Sequence, residues 1–269
     1  MENKITFLGC FEVHKGRPHW EGIKEGCREL GVNAEFISIR KNPHKVDGDI
    51  GIALTRDATN YLGDFNKKYW WQCDYESEID GKNFDGVILS SPNYEVLNNS
   101  NCPFWFLPQA SPRCDYIKTE RKKDLVFLGN INRGRARERT KFLMELNKHF
   151  SIDFVQDRYT IQDLKEIYPQ YKIALSLNFR DDVFSTSNRP FLIMGFSGFC
   201  LARENPLMKR MFDNVVYFRE LEDACKKIEY YLKHKEEREN IRYNQWLEIQ
   251  NKHLYSHRIK RLLEICDLA

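Results

Sequence analysis

Short apolar runs of strand length alternate with longer stretches of helical period along most of the chain. Ile5-Thr-Phe-Leu-Gly9 predicts a strand, residues 18–30 a helix closed by Gly31, and residues 34–39 a second strand. This β-α-β opening implies a right-handed crossover. Residues 49–54, 68–76, 84–89 and 104–107 predict further strands, separated by turn-rich pieces such as Ser90-Ser-Pro-Asn93 and Asn98-Asn-Ser-Asn101.

The pattern then restarts. Residues 107–113 have the Pro-rich, polar composition of a connection, a charged piece follows at 118–123, and a domain boundary is expected near residue 118. Beyond it lie predicted strands at 125–128, 152–155, 173–177, 199–201 and 215–218. Helices are expected from Gly129-Asn-Ile-Asn-Arg-Gly-Arg-Ala-Arg137 to about 149, at 161–168, and around Arg189-Pro190, where Pro suits the first turn and Ser197-Gly198 breaks the run. Two more close the chain, at 221–233 and from 236 to the C-terminus, the last with Trp246, Leu247, Leu254, Ile259, Leu262 and Leu263 at packing spacing. The expectation is an α/β protein of two Rossmann-like domains, residues 1–118 and 119–269.

In open α/β sheets, ligands sit outside the carboxyl ends of the strands, which directs attention to particular loops. In the first half these offer His14, Asp57 and Asp74 as groups able to position or deprotonate a hydroxyl. Each also has a plain reading, as a solvated loop residue or a cap. In the second half, three such loops begin at Gly129, Asn178 and Ser185. Arg133, Arg135 and Arg137 near a helix start oppose the helix dipole unless an anion compensates them. Arg189 likewise stands at a helix start, and arginine supplies forked donors to phosphate oxygens.

Composition narrows the class. The 269 residues are 42% hydrophobic and 30% charged, a globular balance. A net charge of +3 shows no strongly basic footprint in the total, which weighs against a general nucleic-acid binder. Eight cysteines are scattered without a C-x-x-C pair, so neither a disulfide framework nor a zinc finger is indicated, and a reducing, cytoplasmic setting is expected. No apolar run approaches membrane-spanning length. No G-x-x-x-x-G-K-[ST] phosphate loop occurs either.

The ordered series Ser185-Thr-Ser-Asn-Arg-Pro-Phe-Leu-Ile-Met-Gly195, Asn205-Pro206-Leu-Met-Lys-Arg-Met-Phe212, Val215-Val-Tyr-Phe218, Glu220-Leu-Glu-Asp223 and His253-Leu-Tyr-Ser-His-Arg258 resembles the C-terminal half of the CgeB-like glycosyltransferases, within the GT-B superfamily and allied to group 1 (GT4-like) enzymes. The resemblance runs from about residue 124 to 262. It implies two Rossmann-like domains facing a cleft, with the second binding a nucleotide-sugar donor that Gly129, Asn130 and Arg137 face; the converging loops add Arg133, Asn178, Ser187, Asn188, Arg189 and Glu204 as donor-binding candidates. It also implies retention at the anomeric carbon. No resident cofactor is expected, and the absence of an Asp-x-Asp in a strand context agrees with metal independence, although Asp181-Asp182 is one acidic pair able to bind a divalent ion. UDP-, GDP- and dTDP-sugars are not distinguished.

One departure stands out: where many relatives carry a ribose-binding Glu, this chain has Leu192, and a second such position falls on Phe184. An aliphatic side chain accepts no hydrogen bond, so that contact must come from elsewhere, with Asp181, Asp182 and Glu204 as candidates. The leading expectation is sugar transfer to an unidentified hydroxyl, on a saccharide or on a hydroxymethylated base in DNA as in viral enzymes. The other reading is a non-catalytic nucleotide- or sugar-binding module.

Overall fold

In the computed structural model, which describes residues 4–11, 16–41, 44–72, 83–91, 102–131, 137–156, 159–178 and 186–268, the predicted strands gather into two separate parallel sheets. The chain divides into one compact unit of residues 1–109 and 255–269 and a second of residues 110–254.

The first unit contains β1 (Ile5–Gly9), α1 (Pro18–Glu29), β2 (Ala34–Ser38), β3 (Val46–Ala53), a 3-10 turn (Asp57–Tyr61), β4 (Leu62–Gln72), β5 (Gly86–Leu89) and β6 (Phe104–Phe106). Its strand order is β2-β1-β3-β4-β5-β6, all parallel. This doubly wound order reverses direction between β1 and β3. Strand β1 is buried at all five positions, as parallel strands covered on both faces are. Strands β3 and β4 both begin earlier than expected: Val46 pairs with Leu62 and Gly48 with Phe65 across a register shift, and Leu62 and Phe65 are core residues although Asp64 and Asn66 interrupt the apolar run.

One face of this sheet packs on α1, and α1 packs on the chain's last helix, α8 (Tyr255–Ile265). The sequence expectation puts the boundary at 118 and gives the whole C-terminus to the second domain. Instead the boundary lies between Gln109 and Ala110, and residues 255–269 belong to the first unit. Two physical reasons account for the difference. Residues 110–122 are tied into the second unit by Ser111 N–H to the His253 carbonyl (3.0 Å), Ile117 N–H to Ser197 Oγ (2.9 Å) and Trp246 Nε1 to the Cys114 carbonyl (2.9 Å). Arg121, buried, donates to the carbonyls of Pro169 and Tyr171 and pairs with Glu239 at 2.9 Å. Burial pulls its pKa down to about 10.

The second reason is a break in what reads as one long helix. The helix α7 (Lys235–Lys252) stops at His253, whose Nε2 meets the Met211 carbonyl at 3.0 Å, while Leu254 bridges Ser111. No Gly or Pro marks that stop in the sequence.

The second unit contains β7 (Lys123–Leu128), α2 (Arg137–Asn147), β8 (Ile152–Val155), α3 (Ile161–Ile167), β9 (Tyr171–Ser176), α4 (Arg189–Gly195), β10 (Cys200–Arg203), α5 (Pro206–Met211), β11 (Val216–Phe218), α6 (Leu221–Lys233) and α7. Its parallel sheet has the order β11-β10-β9-β7-β8, and so reverses between β7 and β9. The helix starts follow local chemistry: Thr160 and Asp163 form a capping box on α3, and Asn205 Oδ1 accepts from Leu207 and Met208 N–H on α5. Every residue of α4 is buried, so this seven-residue helix is core as much as connection. Among the described residues, no helix is long and apolar enough to cross a membrane.

Burial pushes the thiols of Cys27 and Cys266, both in the first unit, up to about 12 from an ordinary 9.0. The folded state therefore favours the neutral thiol, and its contribution is whole below pH 9.0 and lost as pH rises toward about 12. Urea unfolding at stepped alkaline pH is expected to show stability falling across that window. Cys27→Ala is expected to make the fall shallower, and an identical slope would remove Cys27 as a contributor.

Candidate functional site

The carboxyl ends of β7 and β9 flank the point where the second sheet changes direction, the place such folds use for ligands. Three of the expected donor residues meet there. Leu128 ends β7 and leads into Gly129, Ser176 ends β9 and leads through Leu177 into Asn178, and Arg189 opens α4. The Arg189 side chain spans the two strand ends: Nε donates to the Leu128 carbonyl (2.8 Å) and Nη1 to the Leu177 carbonyl. Its guanidinium lies over the Phe127 ring, 4.6 Å from the centroid.

Gly129 has φ +149°, and a Cβ there would stand 2.6 Å from Arg189 Nη2. The residue is glycine because a guanidinium comes that close to the backbone. Sequence alone directs both residues to phosphate; the structure shows them first serving each other.

Arg189 is 7% exposed and, among the described residues, has no carboxylate partner. Burial lowers its pKa, and the groups that oppose this are Tyr159, Tyr168 and Cys200 rather than an acid. Arginine stays protonated at neutral pH even so. Two carbonyl dipoles solvate this charge, but among the described residues no anion neutralises it.

The other expected donor residues are placed as follows. Asn130 follows Gly129, and its carbonyl accepts from Arg139 Nη2 at 2.6 Å. Asn178 is buried at the end of β9. Ser187 and Asn188 immediately precede α4, and the Ser187 hydroxyl is buried with no hydrogen-bond partner among the described residues. Arg137 is the first residue of α2. Glu204 follows β10 and is engaged by Arg219 Nε (2.9 Å) and Lys209 Nζ (3.3 Å), the Arg219 bond chiefly holding its pKa down. That pairing occupies the carboxylate expected to replace the missing ribose contact. Leu192 is 1% exposed in the hydrophobic core, so the aliphatic residue at this position fits its surroundings. Arg133, Arg135, Asp181, Asp182 and Phe184 lie outside the described residues.

Of the first-unit candidates, Asp57 is described: it begins the 3-10 turn after β3 and is exposed. His14 and Asp74 lie outside the described residues.

One residue of the site is missing from the sequence expectation. Arg139 is 5% exposed, bonds the Asn130 carbonyl, and lies over the Phe127 ring at 5.4 Å. Its signal is present all the same: Arg139, Leu143 and Leu146 share one face of α2 at helical spacing, and all three are buried.

Two parallel sheets of this order give the chain the fold of the GT-B glycosyltransferases. Residues 132–264 match the family profile described as "Glycosyl transferase-like". That stretch includes α8, which the fold returns to the first unit. Similar solved structures include the T4 phage β-glucosyltransferase in complex with its UDP-glucose substrate (12% identity, 96% of each chain covered, TM-score 0.68). Anabaena Alr3699/HepE in complex with UDP and glucose is 9% identical over 100% of each chain, with a TM-score of 0.66. An α1,3-fucosyltransferase is 14% identical over 99% of this chain and 89% of its own, with a TM-score of 0.63. No curated protein matches the chain by sequence.

Proposed function

We propose that the protein is a glycosyltransferase that takes a sugar from a nucleotide-diphosphate donor held at the β7/β9 carboxyl edge of the second unit. The observation that carries this is the buried Arg189 guanidinium, without a carboxylate partner among the described residues and fixed at the strand switch point. A fixed cation there stabilises the charge that builds on a departing diphosphate. Gly129, Asn130, Asn178, Ser187 and Asn188 surround the same edge by sequence position, Arg137 opens the helix that follows β7, and Arg133 is retained as a donor candidate from the sequence alone. The family match over residues 132–264 and the likeness to proteins solved with UDP-glucose or with UDP and glucose support the same reading.

The first unit supplies the group that positions or deprotonates the acceptor hydroxyl, from among His14, Asp57 and Asp74. Asp57→Asn is expected to lower kcat while leaving donor affinity alone; an unaltered rate removes Asp57 from that role. Within the superfamily, the ordered sequence series supports reading the chain as CgeB-like. Retention rests on that resemblance, and turnover without a divalent metal on the absence of an Asp-x-Asp in a strand context; proton NMR of the product formed with EDTA present reads both at once.

The experiment for the proposal itself is calorimetry with UDP, GDP and dTDP, followed by donor hydrolysis with their sugars. One nucleoside diphosphate is expected to bind, and its sugar to be released slowly. Binding with no release under any acceptor favours the non-catalytic module, and no binding at all removes the proposal. The acceptor class is read next. One similar structure is of a DNA-modifying β-glucosyltransferase, which makes hydroxymethylated DNA the first acceptor to assay beside a saccharide panel.

A further inference from the structure

The first unit holds a cavity of about 510 Å³ whose lining includes neither a donor-edge residue nor Asp57. Its walls come from Lys45 just before β3, Arg56 and Asn60 of the β3–β4 crossover, Lys68 and Trp70 of β4, and Phe84 before β5. The β3–β4 crossover that borders it is a single 3-10 turn rather than a full helix. Strand alternation puts Lys68 and Trp70 on one face of β4, so both border the space left there. The site therefore lies on the sheet face spanned by the crossover.

Its lining is one-sided in charge. Lys45, Arg56 and Lys68 all contribute to it, and among the described residues no carboxylate does. The ammonium groups of Lys45 and Lys68 form no ion pair among the described residues. Like charges gathered around one space repel each other and favour an anion between them. The remaining wall is aromatic: the half-buried Phe84 ring stands 5.9 Å from that of Trp70 at 41°, and Trp70, almost wholly buried, backs it. Asn60 adds an amide able to donate and accept. A volume of this size suits a small organic molecule and is too large for phosphate alone.

We infer that this cavity is a binding site for a phosphate monoester carried on a ring, such as a sugar phosphate or a nucleoside monophosphate. The phosphate is held by the Lys45 and Lys68 ammonium groups, with Arg56 on the same lining, and the ring lies against Phe84. The inference stands independently of the sugar-transfer proposal, whose donor residues lie in the other unit.

Calorimetry on the intact protein with glucose 6-phosphate, AMP, inorganic phosphate, glucose and a short DNA duplex tests it. At least one of the two ring phosphates is expected to bind more tightly than inorganic phosphate, with glucose silent, and the stronger of the two identifies the source. Lys68→Ala and Lys45→Ala are each expected to weaken that binding about tenfold or more, the effect of removing one charge-assisted hydrogen bond. Their UDP binding and melting temperatures are expected to match the unaltered protein. No binding of either ring phosphate at millimolar concentration, or affinities unmoved by both substitutions, overturns the inference. Equal affinity for inorganic phosphate removes the ring, and tighter, Lys68-dependent binding of the duplex transfers the site to nucleic acid and ends the small-molecule reading.

Discussion

A chain ending at Leu254 is expected to lose the folded first unit while keeping the second. Residues 255–269 are part of the first unit, and α8 buries Tyr255, Arg258, Ile259, Leu262 and Ile265. Burial of an aliphatic side chain is worth about 1.5–3 kcal/mol, so Ile259, Leu262 and Ile265 together supply roughly 5–9 kcal/mol. A domain's whole stability is about 5–15 kcal/mol. Loss of the helix also strips polar ties: Tyr255 Oη to Gln109 Oε1 (3.1 Å), His19 Nδ1 to Tyr255 Oη (2.6 Å), and Arg258 Nε to the Pro108 carbonyl (3.0 Å). Hydrogen exchange by mass spectrometry reads the outcome by region. Peptides from β1, β3 and β5 are expected to exchange freely in the truncated chain, with β7 and β9 still protected. Retained protection in β1 and β3 would show that α8 is dispensable.

The close packing of α8 on α1 has a specific sequence cause. A Cβ on Gly22 would overlap the Tyr255 ring, and one on Gly26 would come within 2.9 Å of Ser256 N. Two glycines four apart on one helix face let a second helix approach its backbone. That spacing is visible in residues 18–30, but nothing local says which helix comes near. The sequence is legible wherever one element decides its own state. Period and turn chemistry locate the strands from β1 to β11 to within a few residues, the first half of β4 excepted, where polar residues interrupt the apolar ones, and the β-α alternation implies parallel sheets. It is illegible where a distant segment decides. The stop at His253 comes from Met211 and Ser111, and the boundary at Ala110 comes from Ser197, Trp246 and Glu239. The site divides the same way. Chain order alone brings Gly129, Asn178 and Arg189 to one edge, while the bonds from Arg189 to two strand ends and the burial of Arg139 depend on packing across the sheet.

Arg189→Met and Arg189→Lys together are expected to separate two roles that one side chain combines. Methionine removes the donors to the Leu128 and Leu177 carbonyls, and a hydrogen bond from a charged group is worth about 1.5–3 kcal/mol. The second unit is therefore expected to lose about 3 kcal/mol or more in urea unfolding. Lysine carries the charge, but its single ammonium lacks the forked geometry by which Nε and Nη1 reach two carbonyls at once, so its stability is expected to fall nearly as far. Nucleotide affinity should divide differently. If the buried charge offsets the diphosphate, methionine weakens nucleotide binding by about 1–3 kcal/mol, measured below the melting temperature, while lysine retains most of it. If Arg189 only staples the strand ends, affinity follows stability, and the two variants lose it equally. Nucleotide affinity unchanged in a folded Arg189→Met protein would remove the cation from the donor site altogether, and with it the observation on which the transferase reading stands.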